Sequence, residues 1–372
     1  MSTKTITHLT SVHPRYDTRI FFKACVSTAK EKRYAVNLLV ADGMGDEVKQ
    51  GVHIYDVGKE STRLRRVRLA TKRILTKAVA LKSDIYHIHD PELIPVGVKL
   101  KKMGKRVIFD VHEHISLQIK DKSYLPAIAR SVLSILYARY ERYALQKMDY
   151  LILAESSYET YYGRINRTET VLNMPDLEAL EPFYVDRREE NGLFYIGGIS
   201  NERGLDTTLD AIRILKERFP DIHMHYVGHT YSDILETTPM DDIREHITFY
   251  GSLPLTEGLA LSKRAKVGLS ILKPLANYQR SYSTKIFEYM AIGLPVVTSN
   301  FKLYKDIIEK YNCGICIDPL NPYDVAKAIE FIFKNPEKAK EMGKNGKNII
   351  AKKYNWDIEN KKLQKIYQEI IE

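Results

Sequence analysis

From Thr5 to Ile317, short β-rich apolar runs alternate with stretches whose apolar residues recur at helical spacing. In the first half the strand candidates are Thr5–Leu9, Val36–Ala41, His53–Val57, Ile85–Ile88, Val107–Asp110, Tyr150–Ala154 and Thr170–Leu172. In the second half they are Leu193–Ile196, His223–Val227, Ile247–Tyr250, Val267–Ile271, Pro295–Thr298 and Gly314–Ile317. Helical patterns lie between them at Asp17–Lys32, Pro91–Met103, Leu205–Arg218, Thr284–Ala291 and Pro322–Phe333. Parallel neighbours need a long crossover, which a helix supplies, so the alternation predicts an α/β protein of doubly wound parallel sheets rather than a sandwich or bundle. The acidic, proline-containing stretch Asp176–Asn191 interrupts it. A chain of 372 residues is long enough for two cores. We therefore expect two Rossmann-like domains, residues 1–176 and 192–353, joined by a linker at 177–191. The C-terminal helix, 354–372, has the option of returning to the first domain.

Charge narrows the partners. Lys and Arg total 57 against 47 Asp and Glu, a net charge of +10. Nine of those cations, with one acid, fall between Lys59 and Lys82, where Leu64, Val67, Ile74, Leu75, Ala78 and Leu81 recur at helical spacing. A second helical stretch, 124–147, mixes Leu, Ile and Tyr with Arg. Such segments suit an anionic membrane surface or nucleic acid, or are solvated faces over a core stripe. No uncharged apolar run approaches the ~18 residues of a membrane span, and the first residues carry no apolar signal core, so a cytoplasmic, soluble or peripheral protein is expected. Cys313 and Cys316 have C-x-x-C spacing, but no second Cys/His pair stands nearby, and CGICI reads as a short buried strand rather than a metal site.

Open parallel sheets bind ligands beyond the carboxyl ends of their strands. In the first half those ends lead into SVHPRYDTR, HDPE and VHEH, gathering His13, Arg15, Asp17, Arg19, His89, Asp90, Glu92, His112 and Glu113. An acceptor hydroxyl would enter there, although HDPE is also an ordinary helix start with proline in its first turn. In the second half the ends lead into GGISNERG, containing Gly197 and Gly198, and into GHTYSD, GSLP and LKPLANYQRSYSTK. Ser283 and Thr284 stand at a helix start, where unpaired amides favour phosphate or a plain cap forms. Lys285 follows in the first turn, against the helix dipole, which points to an anionic ligand or a local salt bridge. Glu288, one turn on in an apolar helix, could accept two hydrogen bonds from a ribose diol or serve as a structural carboxylate.

The run KIFEYMAIGLPVV, preceded by its Pro- and Asn-containing loop, resembles the donor-site signature of retaining nucleotide-sugar glycosyltransferases of the GT-B fold, family-four type. HIHDPELIPVG, VIFDVHEHI, YIGGISNERGLDTTLDAI and ITFYGSLPL are similar to the bacterial polysaccharide and O-antigen branch, so the likeness spans nearly the whole chain. It implies two Rossmann-like domains facing across a cleft. It also implies that Glu288 holds the donor ribose, that Arg203 and Lys285 meet the diphosphate, and that Ser283 and Thr284 add helix-start donors. The backbone at Gly197 and Gly198 would line the phosphates, that at Ser252 and Leu253 the base, and His112 would lie beside the sugar hydroxyls. His112, Arg203, Lys285 and Glu288 would then be the catalytic group, with His13, Arg19, His89, Asp90 and Glu113 on the acceptor side. Where the resemblance leads one to expect a carboxylate eight positions before Glu288, this chain has Arg280, leaving Asn277 or Tyr278 for the hexose. Where it leads one to expect an arginine, the chain has Gly198.

The implied reaction moves a sugar from UDP or GDP to a hydroxyl of a lipid-linked glycan with retention, the leaving phosphate acting as base. It needs no metal and no cofactor beyond the donor, and it belongs to surface polysaccharide (O-antigen, lipopolysaccharide) synthesis at the cytoplasmic face of the inner membrane. Segments 59–82 and 124–147 would hold the anionic lipid, and nucleic acid would not be a partner. Two rivals are a nucleotide-sugar 2-epimerase of the same architecture and a non-catalytic basic membrane- or nucleic-acid-binding protein.

Overall fold

A computed structural model of the chain describes residues 3–120, 126–186, 188, 190–231, 234–275 and 277–372. It divides into two compact units, residues 1–173 with 357–372, and residues 174–356. The first unit is built on strands β1 (Lys4–Leu9), β2 (Tyr34–Val40), β3 (Glu47–Lys49), β4 (Val52–Asp56), β5 (Ile85–Ile88), β6 (Arg106–Val111), β7 (Tyr150–Leu153) and β8 (Thr168–Thr170). Their order across the sheet is β3-β4-β2-β1-β5-β6-β7-β8, and all pairs are parallel except β3 with β4. Only β3 was not foreseen: three residues of EVK carry no alternation to read. Leu9, Leu39, Ile88, Val107 and Leu151 form the core with Leu93 and Leu100 of the crossover that follows β5.

The second unit holds β9 (Gly192–Ile196), β10 (His223–Val227), β11 (Ile247–Phe249), β12 (Val267–Ser270), β13 (Val296–Ser299) and β14 (Gly314–Ile317). Its parallel order is β11-β10-β9-β12-β13-β14. In each sheet the chain winds one way from its first strand and then the other. The crossover points lie between β1 and β5 and between β9 and β12, the positions where doubly wound sheets bind ligands.

The helices needed here are α1 (Thr71–Leu81), α2 (Ile94–Lys102), α3 (Ala127–Leu145), α4 (Leu205–Leu215), α5 (Thr284–Ala291) and α6 (Trp356–Ile371). The first expected helix, Asp17–Lys32, begins as a wider turn over Thr18–Cys25, with the Phe22 amide reaching back five residues to the Asp17 carbonyl. α6 belongs to the first unit, where Glu359 accepts from the Leu172 amide and Arg106 donates to the Ile371 carbonyl.

Three expectations change. The stretch Asp176–Asn191 is not a free linker. Leu180 and Phe183 are buried, and the Arg188 guanidinium donates to the carbonyls of Ser262, Ala265 and Ile292 within the second unit; Arg187 and Glu189 lie outside the described residues. In 59–82 the buried stripe is Ala70, Ile74 and Ala78, while Leu64 and Val67 face solvent. Several of its cations are already paired, Arg66 with Glu92 and Arg65 and Arg73 with Glu60. In 124–147, of which 124 and 125 lie outside the described residues, α3 is turned inside out. Ser134 and Glu141 are buried, and Ile128, Val132, Leu133, Ile135 and Leu136 are exposed. Cys313 is buried, Cys316 is half-buried in β14, and both are free thiols.

Candidate active site

At the second crossover the strand ends are lined with backbone. β9 runs into Gly197 and Gly198, and β10 into Gly228, whose amide donates to the Gly251 carbonyl. A Cβ on Gly228 would stand 1.9 Å from the Gly197 oxygen, and its φ is +138°, so only glycine fits. α5 starts beside this surface, as the sequence predicts. Buried Tyr289 accepts the Ile196 amide on its hydroxyl oxygen at 3.1 Å, tying the helix to β9. Ser283 is the cap residue, but its hydroxyl meets that of Ser270 at 3.0 Å and caps nothing, and Thr284 is half-buried at the first position. The first turn of α5 therefore has no side-chain cap from its own N-terminal residue.

Lys285 lies over this turn, 8% exposed, with Nζ 4.7 Å from the Tyr195 ring centroid. A Cβ on Gly197 would be 3.5 Å from that ammonium. Burial, then the Arg203 guanidinium, pull its pKa down to about 8, while Glu288 pulls the other way. It makes no ion pair among the described residues, so the salt-bridge option for this lysine is not realised. Arg203 is the last residue of a short 3₁₀ turn, Asn201–Arg203, and precedes Gly204, with its guanidinium 5.9 Å from the Tyr231 ring. Glu288 is half-buried on α5; Ser252 is exposed and Leu253 half-buried after β11. Gly228, Tyr195 and Tyr231 were not singled out from sequence, although Gly228 opens the GHTYSD loop.

The first crossover is furnished differently. Asp90, at the end of β5, accepts from the Thr10 hydroxyl at 2.9 Å and from the Ser11 and Val12 amides, closing the loop after β1. Arg19 forks onto Asp110 of β6, Nη2 to Oδ1 at 2.9 Å and Nε to Oδ2 at 3.1 Å. Burial drives the Asp110 pKa upward, but Arg19 and then His112 outweigh it, and the carboxyl stays well below its usual range. His112 Nε2 lies 2.9 Å and His89 Nδ1 3.3 Å from the same Oδ2. His13 spans Asp17, 3.5 Å from Nδ1, and Asp90, 3.3 Å from Nε2.

Of the residues expected at the acceptor entrance, His89, Asp90 and Arg19 are 0%, 1% and 6% exposed. Each is consumed by an internal partner, so these three hold the strand ends instead of meeting an acceptor. Arg15 is likewise buried against Asp42 and Glu47. His13 and His112 are half-buried and Glu113 is exposed, so these keep access to solvent. His8 and His87 were missed from sequence; with His89 they have ligand-like spacing, as do His89, Asp110 and His112. In the second set Arg19 already occupies both oxygens of the carboxylate, which argues against a cation there.

Residues 180–349 match the family model "Glycosyl transferases group 1". Among curated relatives, spore coat protein SA of Bacillus subtilis is 24% identical over 228 residues, covering 55% of this chain and 59% of that protein. The chain thus spans little more than half of that relative. Sucrose-phosphate synthase from Thermosynechococcus elongatus superposes with a TM-score of 0.76 at 15% identity, over 99% of both chains. Anabaena Alr3699/HepE, solved in complex with UDP and glucose, gives 0.71 at 12% identity, over 98% of this chain and 100% of that one. Residues 180–349 thus resemble a group 1 glycosyltransferase domain, in a chain with the GT-B fold.

Proposed function

We propose that the protein transfers a sugar from a nucleoside diphosphate, UDP or GDP, to a hydroxyl of a lipid-linked glycan, with retention at the anomeric carbon. The observation that carries the donor half is the second crossover: a glycine-lined backbone surface with two cations, Lys285 and Arg203, that no carboxylate neutralises among the described residues. A leaving diphosphate develops negative charge, and preorganised cations and amides in a partly dry site stabilise it without reorganising. Lys285 and Arg203 take the phosphates, and the first-turn amides at Ser283 and Thr284 add donors. Glu288, one turn along the same helix, receives the ribose hydroxyls, and the backbone at Ser252 and Leu253 receives the base. His112 meets the sugar. The leaving phosphate takes the acceptor proton, so neither a metal nor an enzymic base enters this scheme. Synthesis of a bacterial surface polysaccharide is the setting this reading favours.

The acceptor half rests on α3. Its exposed aliphatic face, Ile128 at 81% and Leu136 at 55%, is flanked by Tyr140, Tyr143, Arg139 and Arg142. Together with Arg63 and Arg68 on the basic segment this suits an anionic lipid surface, where each cation contributes about 1 kcal/mol. Among the described residues no helix is long and apolar enough to cross a membrane. The nucleotide-sugar epimerase has no use for such a face.

Two experiments test these halves separately. A thermal-shift screen against UDP-, GDP-, dTDP- and CMP-sugars should single out a donor, and Glu288→Ala should cut transfer at least 10²-fold while weakening that donor's binding. Wild-type donor affinity in the variant would remove Glu288 from the site, and an inverted product by proton NMR would refute retention. The triple change Ile128→Asp, Ile135→Asp, Leu136→Asp should release the protein from phosphatidylglycerol vesicles without changing nucleotide binding. Undiminished sedimentation with vesicles would refute the lipid surface.

A further inference from the structure

Beneath His112 lies a buried chain of polar side chains that the transfer reaction does not use. Tyr367 of α6 meets His87 Nδ1 at 2.8 Å and His8 Nε2 at 3.4 Å. His8 Nδ1 meets His89 Nε2 at 2.9 Å, and His89 Nδ1 faces Asp110. Burial pushes the pKa of His8, His87 and His89 down, so each is neutral and carries one ring proton. Proton counting then leaves one arrangement. An unprotonated nitrogen beside a carboxylate oxygen sets two lone pairs against each other; His89 Nδ1 and His112 Nε2 lie 3.3 and 2.9 Å from Asp110 Oδ2, off the ideal hydrogen-bond line, and neither has a hydrogen-bond partner elsewhere among the described residues. Both must carry the proton.

The rest follows link by link. With its proton on Nδ1, His89 accepts at Nε2, so His8 donates from Nδ1 and accepts at Nε2. Tyr367 donates to His8 and accepts from His87 Nδ1. His87 Nε2 is left as a lone pair, and it is this nitrogen that stands farther from Asp110, at 4.0 Å, with no hydrogen-bond partner. The whole chain thus has one polarity, set by a carboxylate that Arg19 holds ionised.

We propose that Asp110 is the positioning residue for His112: it holds the Nε2–H tautomer and leaves Nδ1 as an acceptor for a substrate hydroxyl. The assignment of the substrate rests on the transferase reading, whereas the tautomers do not. Facing His112 are Asp110, the His89 and His13 rings, 5.6 and 5.2 Å away between centroids, and Tyr158, whose hydroxyl donates to the His112 carbonyl at 3.3 Å. A divalent cation on His89, Asp110 and His112 is the rival explanation of the same convergence.

Long-range ¹H–¹⁵N correlation on the full chain, labelled at histidine and free of substrate, reads each tautomer. The expected spectrum has Nδ1–H for His8, His87 and His89 and Nε2–H for His112. In Asp110→Asn the amide can donate to Nε2, so His112 should switch to Nδ1–H. Release of UDP from UDP-glucose, or GDP from GDP-mannose, should then fall about 10²- to 10⁴-fold in kcat with KM changed less than threefold, as when a histidine is held in the wrong tautomer. Nδ1–H at His112 in the wild type, one equivalent of zinc in the purified protein, or an Asp110→Asn enzyme with unchanged kcat would each overturn the proposal. Should Asp110→Asn fail to fold, the wild-type spectrum still decides. A wild type that turns over neither nucleotide sugar would count against the transferase reading and leave the tautomer result standing.

Discussion

Two sheets wound in the same order reach their crossover points with opposite furnishings. Between β1 and β5 the site is filled by side chains that satisfy one another: Asp90 with the loop after β1, Arg19 with Asp110, and three imidazoles in a directed chain. Between β9 and β12 the site is backbone and a cation with no ion pair among the described residues, with Gly197 and Gly228 kept bare and Lys285 buried over them. A buried charge with its partner present belongs to the fold. One without a partner is a standing cost that only a ligand removes. The first crossover therefore carries structure and presents His13, His112 and Glu113 at its rim, whereas the second has the charge that the proposed diphosphate would meet.

The same kind of replacement should have opposite signs at the two places. Arg19→Leu leaves Asp110 buried without its guanidinium, with only neutral imidazoles beside it, and should cost about 3–5 kcal/mol in urea unfolding. Lys285→Met removes a buried ammonium whose pKa has fallen from 10.5 to about 8. A shift of that size corresponds to about 3 kcal/mol of strain on the charged form, so the variant should be as stable as wild type or more so at pH 7, yet bind UDP at least tenfold more weakly. A loss of stability would mean that Lys285 is paired after all.

Gly228→Ala tests the bare backbone. With φ at +138° and the Gly197 oxygen in the way, it should cost about 1–3 kcal/mol and abolish a measurable UDP thermal shift. Full stability would show that the two loops can part.

The titration of Lys285 gives a pH prediction. Between about 8 and 10.5 the unfolded chain holds this proton and the folded one does not, so the ligand-free protein gains stability from this group as pH rises through that window. Binding runs the other way. If the charged lysine meets the diphosphate as proposed, UDP affinity measured by calorimetry should be level from pH 7 to 8 and fall up to about tenfold per unit above it. Lys285→Arg should flatten the profile, and a flat wild-type profile would remove the lysine from the phosphates.

What was legible in the sequence follows the same division. The furnishing of the second crossover could be read because it is local: Ser283, Thr284, Lys285 and Glu288 fall within six residues, and the helix begins directly after Ser283. The first crossover depends on partners such as Arg19 and Asp110, which lie 91 residues apart, and no local pattern reports that pairing. A signal for the histidine chain did exist. His87 and His89 alternate in YHIHD, and period two puts both on one face of a strand. α3 was misleading for a physical reason: periodicity shows that a helix has an apolar face, not that the face is buried, and here Ser134 and Glu141 are inward with Ala144 and Leu145, the Glu141 pKa raised to about 7 by burial.

The smallest expected effect concerns Gly198, where the family resemblance leads one to expect an arginine. A Cβ there would meet the Tyr231 ring 2.4 Å away. The clashing atoms are the far end of a side chain that is 50% exposed, so it can swing aside where backbone could not. Gly198→Arg should therefore change stability by less than about 1 kcal/mol, as for an ordinary surface substitution. If the second crossover is a diphosphate site short of one cation, the variant should bind UDP a few-fold more tightly, with the gain lost as salt screens the added charge. Tighter binding that ignores salt would mean the arginine packs on the base instead. Weaker binding would mean that Tyr231 is itself part of the nucleotide site, and that its ring supplies at this position what the missing guanidinium supplies elsewhere.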